Sequence, residues 1–400
     1  MMNHNLLSLF WEGYELKDSI LQSESHLLFR IHPIGTACCS QCESPCTLIH
    51  DRSIRQVRDQ DIPGYRLTLE LPIRRVRCTK CGNVGRERIP WLAPHSRITS
   101  RLIDYIEQLT RLLPIRHVAE IVGLAWHTIK EIDKQRLARE VVPPDYSKVK
   151  RLVMDEFALH KGHRYATVVA NAETMQVLWI GVGRTRHAIR PFFKELGMHC
   201  EQIEAVAMDQ NTAFDLEVKK HCPNAEVVYD LFHVLAKYGR EVIDRVRVDQ
   251  ANTLKADKSA RKIVKRSRWL LLKNRENLSE TQQVKLHELM NANQSLALVY
   301  ILKEQLKELW YAKSIWDAFK CWRQWWKMAK ESDLEPLKIF ARRLRPYLRG
   351  ILASAKYPLH TSGLEGINNK IKVLKRMAYG YRDMEYFFLK IKAAFPGLRR

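Results

Sequence analysis

The chain has 400 residues, of which 46% are hydrophobic, so it is too long for one ordinary domain and can build more than one buried core. Its 67 Lys and Arg residues outnumber its 44 Asp and Glu residues, and the resulting net charge of +23 favours a polyanionic partner such as nucleic acid. No apolar stretch approaches the roughly 18 residues of a membrane span, and the first residues lack the basic segment and the clear cleavage site of a secretory signal, so we expect a cytoplasmic protein that does not enter a membrane.

Six of the nine cysteines lie between Cys38 and Cys81. Two pairs have the CxxC spacing: Cys39 with Cys42, and Cys78 with Cys81. Two such pairs supply the four thiolates of a tetrahedral Zn²⁺ site. Residues 1–95 are therefore predicted to form a small zinc-binding β domain, with two unrelated pairs of free cysteines as the alternative. Cys38 and Cys46 leave the choice of ligands open.

Basic residues follow between the cysteine pairs. Residues 65–71 and 73–77 are predicted to be two strands of a small β-ribbon. The second strand carries three arginines that are predicted to face DNA phosphates: Arg74, Arg75 and Arg77. A solvated basic face is the alternative interpretation.

A helix-turn-helix is predicted after Pro114, which ends the preceding helix. Ala119 lets two helices approach, Gly123 makes the turn, and Ile129 anchors the second helix. Four residues are then predicted to face the major groove of DNA: Trp126, His127, Lys130 and Lys134. Residues 96–145 are thus predicted to be a second DNA-binding domain, with an ordinary helical hairpin as the alternative.

Beyond this segment, short apolar runs predict strands in the order βββαβαβ, which is the order of the RNase H-like fold. Asp155, Asp209 and Asp230 lie at or near the ends of the first, fourth and fifth strands. Ends of buried strands converge at one edge of a sheet, where ligands bind. Glu156 is a weaker candidate because adjacent strand residues point to opposite faces. In this multidomain chain, residues 146–400 are therefore predicted to form an RNase H-like α/β core.

A helical insertion is predicted at about residues 237–356, which are basic and rich in Trp. Four residues follow one helical stripe, which favours core packing: Ile315, Phe319, Trp322 and Trp326. Trp325 lies off this stripe. We therefore hypothesise an exposed Trp325 ring that stacks on an unpaired base.

The last segment supplies one more carboxylate, Glu365. Four residues, spaced four, three and four apart, share a face of the predicted helix: Glu365, Asn369, Lys372 and Arg376. Such a face is suited to hold a metal ion while its amide and basic groups contact DNA phosphates. Ser362 and Glu365 also fit a capping box that ties off the helix start. The carboxylates of Asp155 and Asp209 upstream favour catalysis over capping.

Three carboxylates are the hard oxygen ligands that Mg²⁺ prefers, and Mn²⁺ substitutes for it. Two such ions about 4 Å apart activate the attacking oxygen and stabilise the leaving oxygen in phosphodiester cleavage. Asp155 is predicted to bridge both ions, with Asp209 on one and Glu365 on the other. Asp230 and His233 either support this site or are a helix N-cap and its neighbour.

The motifs resemble those of the DDE transposases of bacterial insertion sequences, specifically the ISL3 branch. The resemblance is carried by both CxxC pairs and by five further segments: 154–156, 207–209, 230–233, 363–372 and 378–382. It covers essentially the whole chain. It implies that Asp155, Asp209 and Glu365 are the catalytic triad, with a helical insertion before Glu365.

The resemblance also implies the substrates and the assembly. Residues 1–142 would bind the terminal inverted repeats of the element as double-stranded DNA, and the catalytic domain would cut them and join them to target DNA. Paired ends imply a homodimer or a larger assembly, on the nucleoid of a bacterial cytoplasm. Two rivals stay open: a DNA-binding regulator with an inactive RNase H-like domain, and a structure-specific nuclease. The first is disfavoured because all three carboxylates are present, and the second needs no dedicated helix-turn-helix.

Overall fold

The computed structural model of the protein describes residues 9–160, 162, 164–359 and 362–397. Contacts between residues divide the chain into two compact units. The first unit is Met1–Glu140 with Met377–Arg382, and the second is Val141–Arg376 with Asp383–Arg400. The predicted mixed α/β class is confirmed. None of the described helices combines the length and the apolar character needed to cross a membrane.

The first unit begins with a β region. Its strands are β1 (Tyr14–Ser23), β2 (His26–Pro33), β3 (Ala37–Cys38), β4 (Pro45–Cys46), β5 (Leu48–Arg58), β6 (Arg66–Arg77) and β7 (Val84–Arg86). Four strands pair in the order β1-β2-β6-β5, with β7 added to β6, and β3 pairs separately with β4. Leu67, Leu69 and Leu71 of β6 are buried with Trp11 in the core of this region. Burial of this apolar row fixes the register of the central strand.

The two strands predicted between the cysteine pairs are one continuous strand, β6, and Pro72 lies within it. On one side β6 pairs with β5 along most of its length. On the other side it pairs with β2 only up to Glu70 and with β7 only from Arg75. Pro72 lies in the interval between these partners. A proline is tolerated there because the strand has a neighbour on one side only.

Three helices complete the main part of the first unit: α1 (Ser100–Leu112), α2 (Ile115–Val122) and α3 (Trp126–Glu140). Gly123 follows α2 with a φ of 64°, and a Cβ there would lie 2.4 Å from Cζ of Arg66. The positive φ favours glycine at this turn, and a larger residue would also have to displace the end of the Arg66 side chain. Ala119 and Ile129 are buried in the helical core, so the predicted helix–glycine turn–helix is confirmed.

Two further contacts hold the first unit together. Asp59 is fully buried and accepts hydrogen bonds from Trp11 Nε1 at 2.9 Å and from Thr99 Oγ1 at 2.6 Å. The hydrogen bond from Thr99 joins the end of β5 to the start of α1, and the one from Trp11 joins it to the segment before β1. Both satisfy a carboxylate that would be costly to bury alone.

In the short segment 377–382, burial raises the pKa of Tyr381 to about 12, and the charge of Asp133 on α3 acts in the same direction.

The second unit is built on a five-stranded sheet. Its first elements are β8 (Arg151–His160), β9 (Arg164–Asn171), β10 (Val177–Val182), α4 (Arg186–Leu196), β11 (Ala205–Met208), α5 (Thr212–His221) and β12 (Glu226–Tyr229). The strand order is β10-β9-β8-β11-β12. β8, β9 and β10 are antiparallel neighbours, whereas β11 runs parallel to both β8 and β12. The predicted succession βββαβαβ is confirmed.

A buried carboxylate joins α4 to α5. Glu217 is fully buried and accepts hydrogen bonds from Arg186 Nε at 2.7 Å and from Arg190 Nε at 3.2 Å. Burial alone would raise the pKa of Glu217, but these two guanidinium groups lower it to about 2. The ion pairs fix the helices beside the sheet, so this cluster has a structural role.

The predicted helical insertion is present. Its helices are α6 (Leu231–Tyr238), α7 (Asp244–Thr253), α8 (Lys258–Arg266), α9 (Arg268–Leu272), α10 (Glu280–Ala292), α11 (Gln294–Glu308), α12 (Ile315–Glu331), α13 (Glu335–Leu344) and α14 (Leu348–Leu352). They share one continuous core with the sheet. Two helices follow, α15 (Ser362–Met377) and α16 (Met384–Ala394).

The hypothesis of an exposed Trp325 is wrong. Its side chain is fully buried, and its Nε1 donates a hydrogen bond to the carbonyl of Leu302 at 2.9 Å. Its ring stacks on Trp322 at a centroid distance of 5.4 Å. The buried face of α12 is therefore wider than the predicted stripe, because helices pack on it from more than one side. Trp325 stabilises the core and is not accessible to a base.

Candidate active site and zinc site

Asp155 lies in the middle of the sheet on β8. Its Oδ1 accepts a hydrogen bond from the backbone amide of Glu156 at 2.7 Å, and its Oδ2 accepts one from Asn368 Nδ2 at 2.6 Å. Burial raises the pKa of Asp155, against the opposing effects of these two hydrogen bonds and of the charge of His233. A half-buried carboxylate of raised pKa is a feature of functional sites.

Asp209 comes directly after β11. Because β11 runs parallel to β8, both strands carry their acidic residues towards the same edge. Burial raises the pKa of Asp209 to about 6, and the negative charges of Asp155 and Glu156 add to this rise. Its Oδ1 is buried and has no hydrogen-bond partner among the described residues. A cation would satisfy this oxygen and relieve the repulsion between the two carboxylates.

Asp230 follows β12 and forms the N-cap of α6. Its Oδ1 accepts a hydrogen bond from the amide of Phe232 at 3.2 Å. His233 Nε2 lies 3.7 Å from Asp230 Oδ2. The capping alternative is thus what Asp230 does in this structure. His233 is still near the acidic pair, since its charge lowers the pKa values of both Asp155 and Asp209.

Glu365 lies on α15, which turns an apolar face inward. Leu364, Ile367 and Ile371 are buried, whereas Glu365 is exposed. Asn368 follows one turn later and reaches Asp155. Residues three apart on a helix are neighbours, with Cβ atoms about 5–6 Å apart, so Glu365 lies one turn from the residue that contacts Asp155. The side chain of Ser362, the other member of the predicted capping box, lies outside the described part of the chain.

The three carboxylates do not form a ligand group in this structure. Within the described ranges, the one group of three or more potential ligand residues whose atoms lie within 4.8 Å of one another consists of cysteines. Asn368 Nδ2 donates a hydrogen bond to Asp155 Oδ2, and the Glu365 side chain is exposed to solvent. Joint coordination of one ion by all three groups would therefore require these carboxylates to move closer together.

Asn368 is a site residue that the sequence patterns did not single out. The predicted face of α15 carries Asn369, Lys372 and Arg376, and all three are exposed. Asn368 belongs to the neighbouring inward face, as does Lys375, whose Nζ donates a hydrogen bond to the carbonyl of Ala158 at 3.0 Å. The spacing of the buried residues at 364, 367 and 371 was the available signal, because position 368 completes that helical stripe.

The predicted zinc ligands lie together. Sγ atoms are 3.6 Å apart between Cys39 and Cys81 and 3.5 Å apart between Cys42 and Cys78. Four thiolates around Zn²⁺, each at about 2.3 Å, require separations of about 3.8 Å, so the group fits this ion. Backbone hydrogen bonds from Cys42 and then Gln41 lower the pKa of Cys39 to about 6, which favours the thiolate.

The other two cysteines of this segment are outside the ligand group. Cys46 is buried in the small core behind the ligands, and burial raises its pKa to about 11. Cys38 Sγ donates a hydrogen bond to the carbonyl of Thr36. The geometry therefore selects Cys39, Cys42, Cys78 and Cys81 as the ligand set.

The predicted DNA-binding residues differ in exposure. Trp126 and His127 are exposed at the start of α3, and Lys130 and Lys134 are half-buried further along it. On β6, Arg75 and Arg77 are exposed. The side chains of Arg75 and Arg77 are therefore accessible to DNA phosphates.

Arg74 does not lie on the exposed face that the sequence predicted for it. It is buried, and its Nε donates to Glu87 Oε2 at 2.8 Å while its Nη1 donates to the carbonyl of Gly35 at 2.8 Å. Alternation along β6 turns Arg74 away from Arg75 and Arg77. Its prediction as a phosphate contact is wrong, because the guanidinium group neutralises a buried carboxylate.

Comparison with protein families finds matches along most of the chain. A family model for DDE transposases of the ISL3 type matches residues 152–391. The helix-turn-helix domain of transposase family ISL3 matches residues 87–137. The zinc-finger of the IS204/IS1001/IS1096/IS1165 transposases matches residues 35–81.

Among curated proteins, the chain is 51% identical over 395 residues to the transposase for insertion sequence element IS1001 of Bordetella parapertussis, covering 98% of this chain and 97% of that one. It is 25% identical over 399 residues to the transposase for IS1557 of Mycobacterium tuberculosis, covering 93% and 89%. Among solved structures, the Drosophila P element transposase strand transfer complex matches with a TM-score of 0.39 and 10% identity, over 73% of this chain and 91% of that chain.

Proposed function

Because this chain belongs to the ISL3 family of insertion-sequence transposases, we propose that Asp155, Asp209 and Glu365 form its active site and hold two Mg²⁺ ions, for which Mn²⁺ substitutes. Membership of the family implies catalysis of DNA cleavage and strand transfer. The observation that carries the assignment of the site is the pair of half-buried carboxylates on or directly after adjacent parallel strands, with the buried Asp209 Oδ1 atom lacking a partner among the described residues.

The donor set supports Mg²⁺ because every group is a hard oxygen ligand. Asp155, Asp209 and Glu365 would hold the ions. When bound, the ions would activate the attacking oxygen, stabilise the leaving oxygen and neutralise the phosphate. Water would attack first and release a 3′-hydroxyl, which would then attack a second DNA, so no nucleophile from the protein is needed.

Other residues of the chain would orient this site. His233 favours the ionised forms of the acidic pair, and Asp230 holds His233 through its proximity at 3.7 Å. Asn369, Lys372 and Arg376 would contact the phosphates of the DNA that is being cut. We assign this chemistry to an RNase H-like domain of residues 146–400, interrupted by the helical insertion at about 237–356.

Recognition of the element ends is proposed for the first 142 residues, as a zinc-binding domain of residues 1–95 followed by a helix-turn-helix domain of residues 96–145. Structural Zn²⁺ would hold the two cysteine pairs together. Trp126, His127, Lys130 and Lys134 would approach the major groove, and Arg75 and Arg77 the phosphates. Two element ends processed together imply at least a homodimer during synapsis.

The proposal is tested with duplex DNA from the flanks of the gene that encodes this protein. With Mg²⁺ or Mn²⁺ we expect nicks that leave a 3′-hydroxyl, followed by joining of that end to target DNA, and with EDTA neither product. Gel separation of end-labelled strands detects both steps. Cleavage without any joining would instead make the protein a nuclease, and the absence of cleavage with both metals would contradict the proposed site.

Asn368→Ala is expected to lower the cleavage rate about 10- to 100-fold, the usual effect of losing a group that orients a metal ligand. The variant removes the 2.6 Å hydrogen bond that fixes the Asp155 carboxylate. We also expect a higher Mg²⁺ concentration at half-maximal rate, which a merely weakened fold would not produce. Rates measured across a Mg²⁺ series give both quantities.

Asn369→Ala is the matched control, since it removes the adjacent amide, which is exposed and accepts a hydrogen bond from Lys372 Nζ at 3.4 Å. Its Mg²⁺ dependence should equal that of the wild type. An equal shift in both variants, or none in Asn368→Ala, would remove Asn368 from the site.

A further inference from the structure

A cavity of about 1060 Å³ opens among the helices of the insertion, between α7, α8, α9, α10 and the start of α11. Its apolar lining consists of Leu254, Ile263, Val264, Leu270 and Leu289, with Trp269 beside them. The proposed active site does not use this cavity, since none of its residues belongs to the lining. The volume exceeds that of a single base, and the apolar lining suits a flat ring system.

The positive charge around the cavity favours an anionic ligand. Residues 255–275 contain nine Lys and Arg residues and a single acidic residue, Asp257. Arg266, Lys273 and Lys285 line the cavity and are exposed, whereas Glu288 is the one acidic residue in the lining. Such a surplus attracts a polyanion, and nucleic acid is the polyanion that a transposase handles.

Trp269 offers a stacking surface at the cavity. Its side chain is 68% exposed, which is unusual for so large an apolar group. The guanidinium group of Arg268 lies over its ring at 5.2 Å, and Arg268 is itself held by Asp244 at 3.0 Å. An indole ring fixed next to cationic groups is the arrangement on which proteins stack unpaired bases.

Side-chain amides in the lining supply hydrogen-bonding groups for base edges. They belong to Gln250, Gln282, Asn293 and Gln294. Asn293 Nδ2 donates to Gln250 Oε1 at 3.0 Å, so these two groups are already oriented. Amides both donate and accept, and thus suit any base. A duplex hides its base faces by stacking and its pairing edges by pairing, so only an unpaired nucleotide presents both to such a cavity.

We propose that this cavity binds unpaired nucleotides of the DNA substrate, with Trp269 stacking on a base and Arg266, Lys273 and Lys285 contacting phosphates. The inference rests on the proposed function, because strand cleavage is the step that exposes unpaired DNA. It adds to the active site and the helix-turn-helix a third contact with DNA, one that recognises unpaired structure.

The test uses the full-length protein and a short single-stranded DNA that contains the fluorescent base 2-aminopurine. Binding to wild type should quench this fluorescence through stacking. Trp269→Ala should weaken binding about 5- to 150-fold and abolish the quenching, since a stacked base contributes about 1–3 kcal/mol. Trp269→Phe keeps an aromatic ring and should retain most of both signals.

Trp316→Ala is the matched control. Trp316 also lies in the insertion, is 62% exposed, and has a cation over its ring, with Lys320 Nζ at 5.6 Å from the centroid. It does not line the cavity, so its replacement should leave binding and quenching unchanged. Equal losses in Trp269→Ala and Trp316→Ala, or quenching that survives Trp269→Ala, would overturn the proposal.

Two further measurements distinguish a cavity for unpaired DNA from a lipid-binding cavity and from the active site itself. Binding of the wild type to anionic vesicles with loss on Trp269→Ala, without any effect of that variant on single-stranded DNA, would assign the cavity to a lipid surface and overturn the proposal. Metal-dependent cleavage of element ends that proceeds without quenching refutes the cavity alone. Quenching that depends on Trp269 in a protein that cuts no DNA supports the cavity while refuting the proposed active site.

Discussion

Asp155→Asn is expected to reduce DNA cleavage at least about a thousandfold while leaving binding to the element ends intact. The substitution keeps the size of the side chain but removes a negative charge that would hold the metal ions. Losing several kcal/mol of transition-state stabilisation corresponds to a rate loss of this order. Cleavage of labelled ends and their retardation in a gel measure the two properties separately.

Glu156→Gln is the control for this prediction, because it neutralises the adjacent carboxylate on the same strand. The Glu156 carboxylate accepts a hydrogen bond from Arg184 Nη1 at 2.8 Å and is not a proposed ligand. We expect cleavage close to that of wild type. If Glu156→Gln loses as much activity as Asp155→Asn, the metal ligand has been misassigned. If Asp155→Asn also fails to bind ends, Asp155 has a structural role.

Cys78→Ser is expected to eliminate bound zinc, from about one ion per chain to none, and with it the binding of element ends. Beyond the metal, few interactions hold this segment. β3 and β4 have two residues each, and the core behind them consists of Ala37, Val76 and cysteines. A structural zinc contributes about 10–16 kcal/mol in small zinc domains, far more than such a core supplies. Metal analysis and gel retardation measure the outcome.

Cys46→Ala is the matched control, since Cys46 is buried beside the ligands without belonging to their group. This variant should keep its zinc and bind element ends, with a modest loss of stability from the small cavity. Loss of zinc in Cys46→Ala, or retention of zinc in Cys78→Ser, would show that the ligand set is different.

The sequence predicted the parts of the site that depend on chain periodicity. Short apolar runs marked the strands, and parallel strand ends meet at one edge, so the placement of Asp155 and Asp209 followed from local pattern. The CxxC spacing in the same way selected the four clustered cysteines. These four cysteines could be identified from the sequence because a metal site constrains the spacing of the ligands within each pair.

The parts that the sequence did not predict depend on partners remote in the chain. In the sequence, Arg74 cannot be distinguished from the exposed Arg75 and Arg77. Its role follows from the hydrogen bond of 2.8 Å from its Nε to Glu87 Oε2. Trp325 lies off the expected stripe because several helices cover α12. Asn368 is chosen over Asn369 only when the inward face of α15 is known. In each case tertiary packing, which one helix or strand does not encode, decided the role.

The segment Met377–Arg382 makes the first unit discontinuous along the chain. A fragment that ends at Glu140 therefore lacks a piece of its own unit, including Tyr381, and would expose the surface that this segment covers. A fragment meant to fold as the first unit alone should therefore include these six residues. No single break in the chain separates the two units.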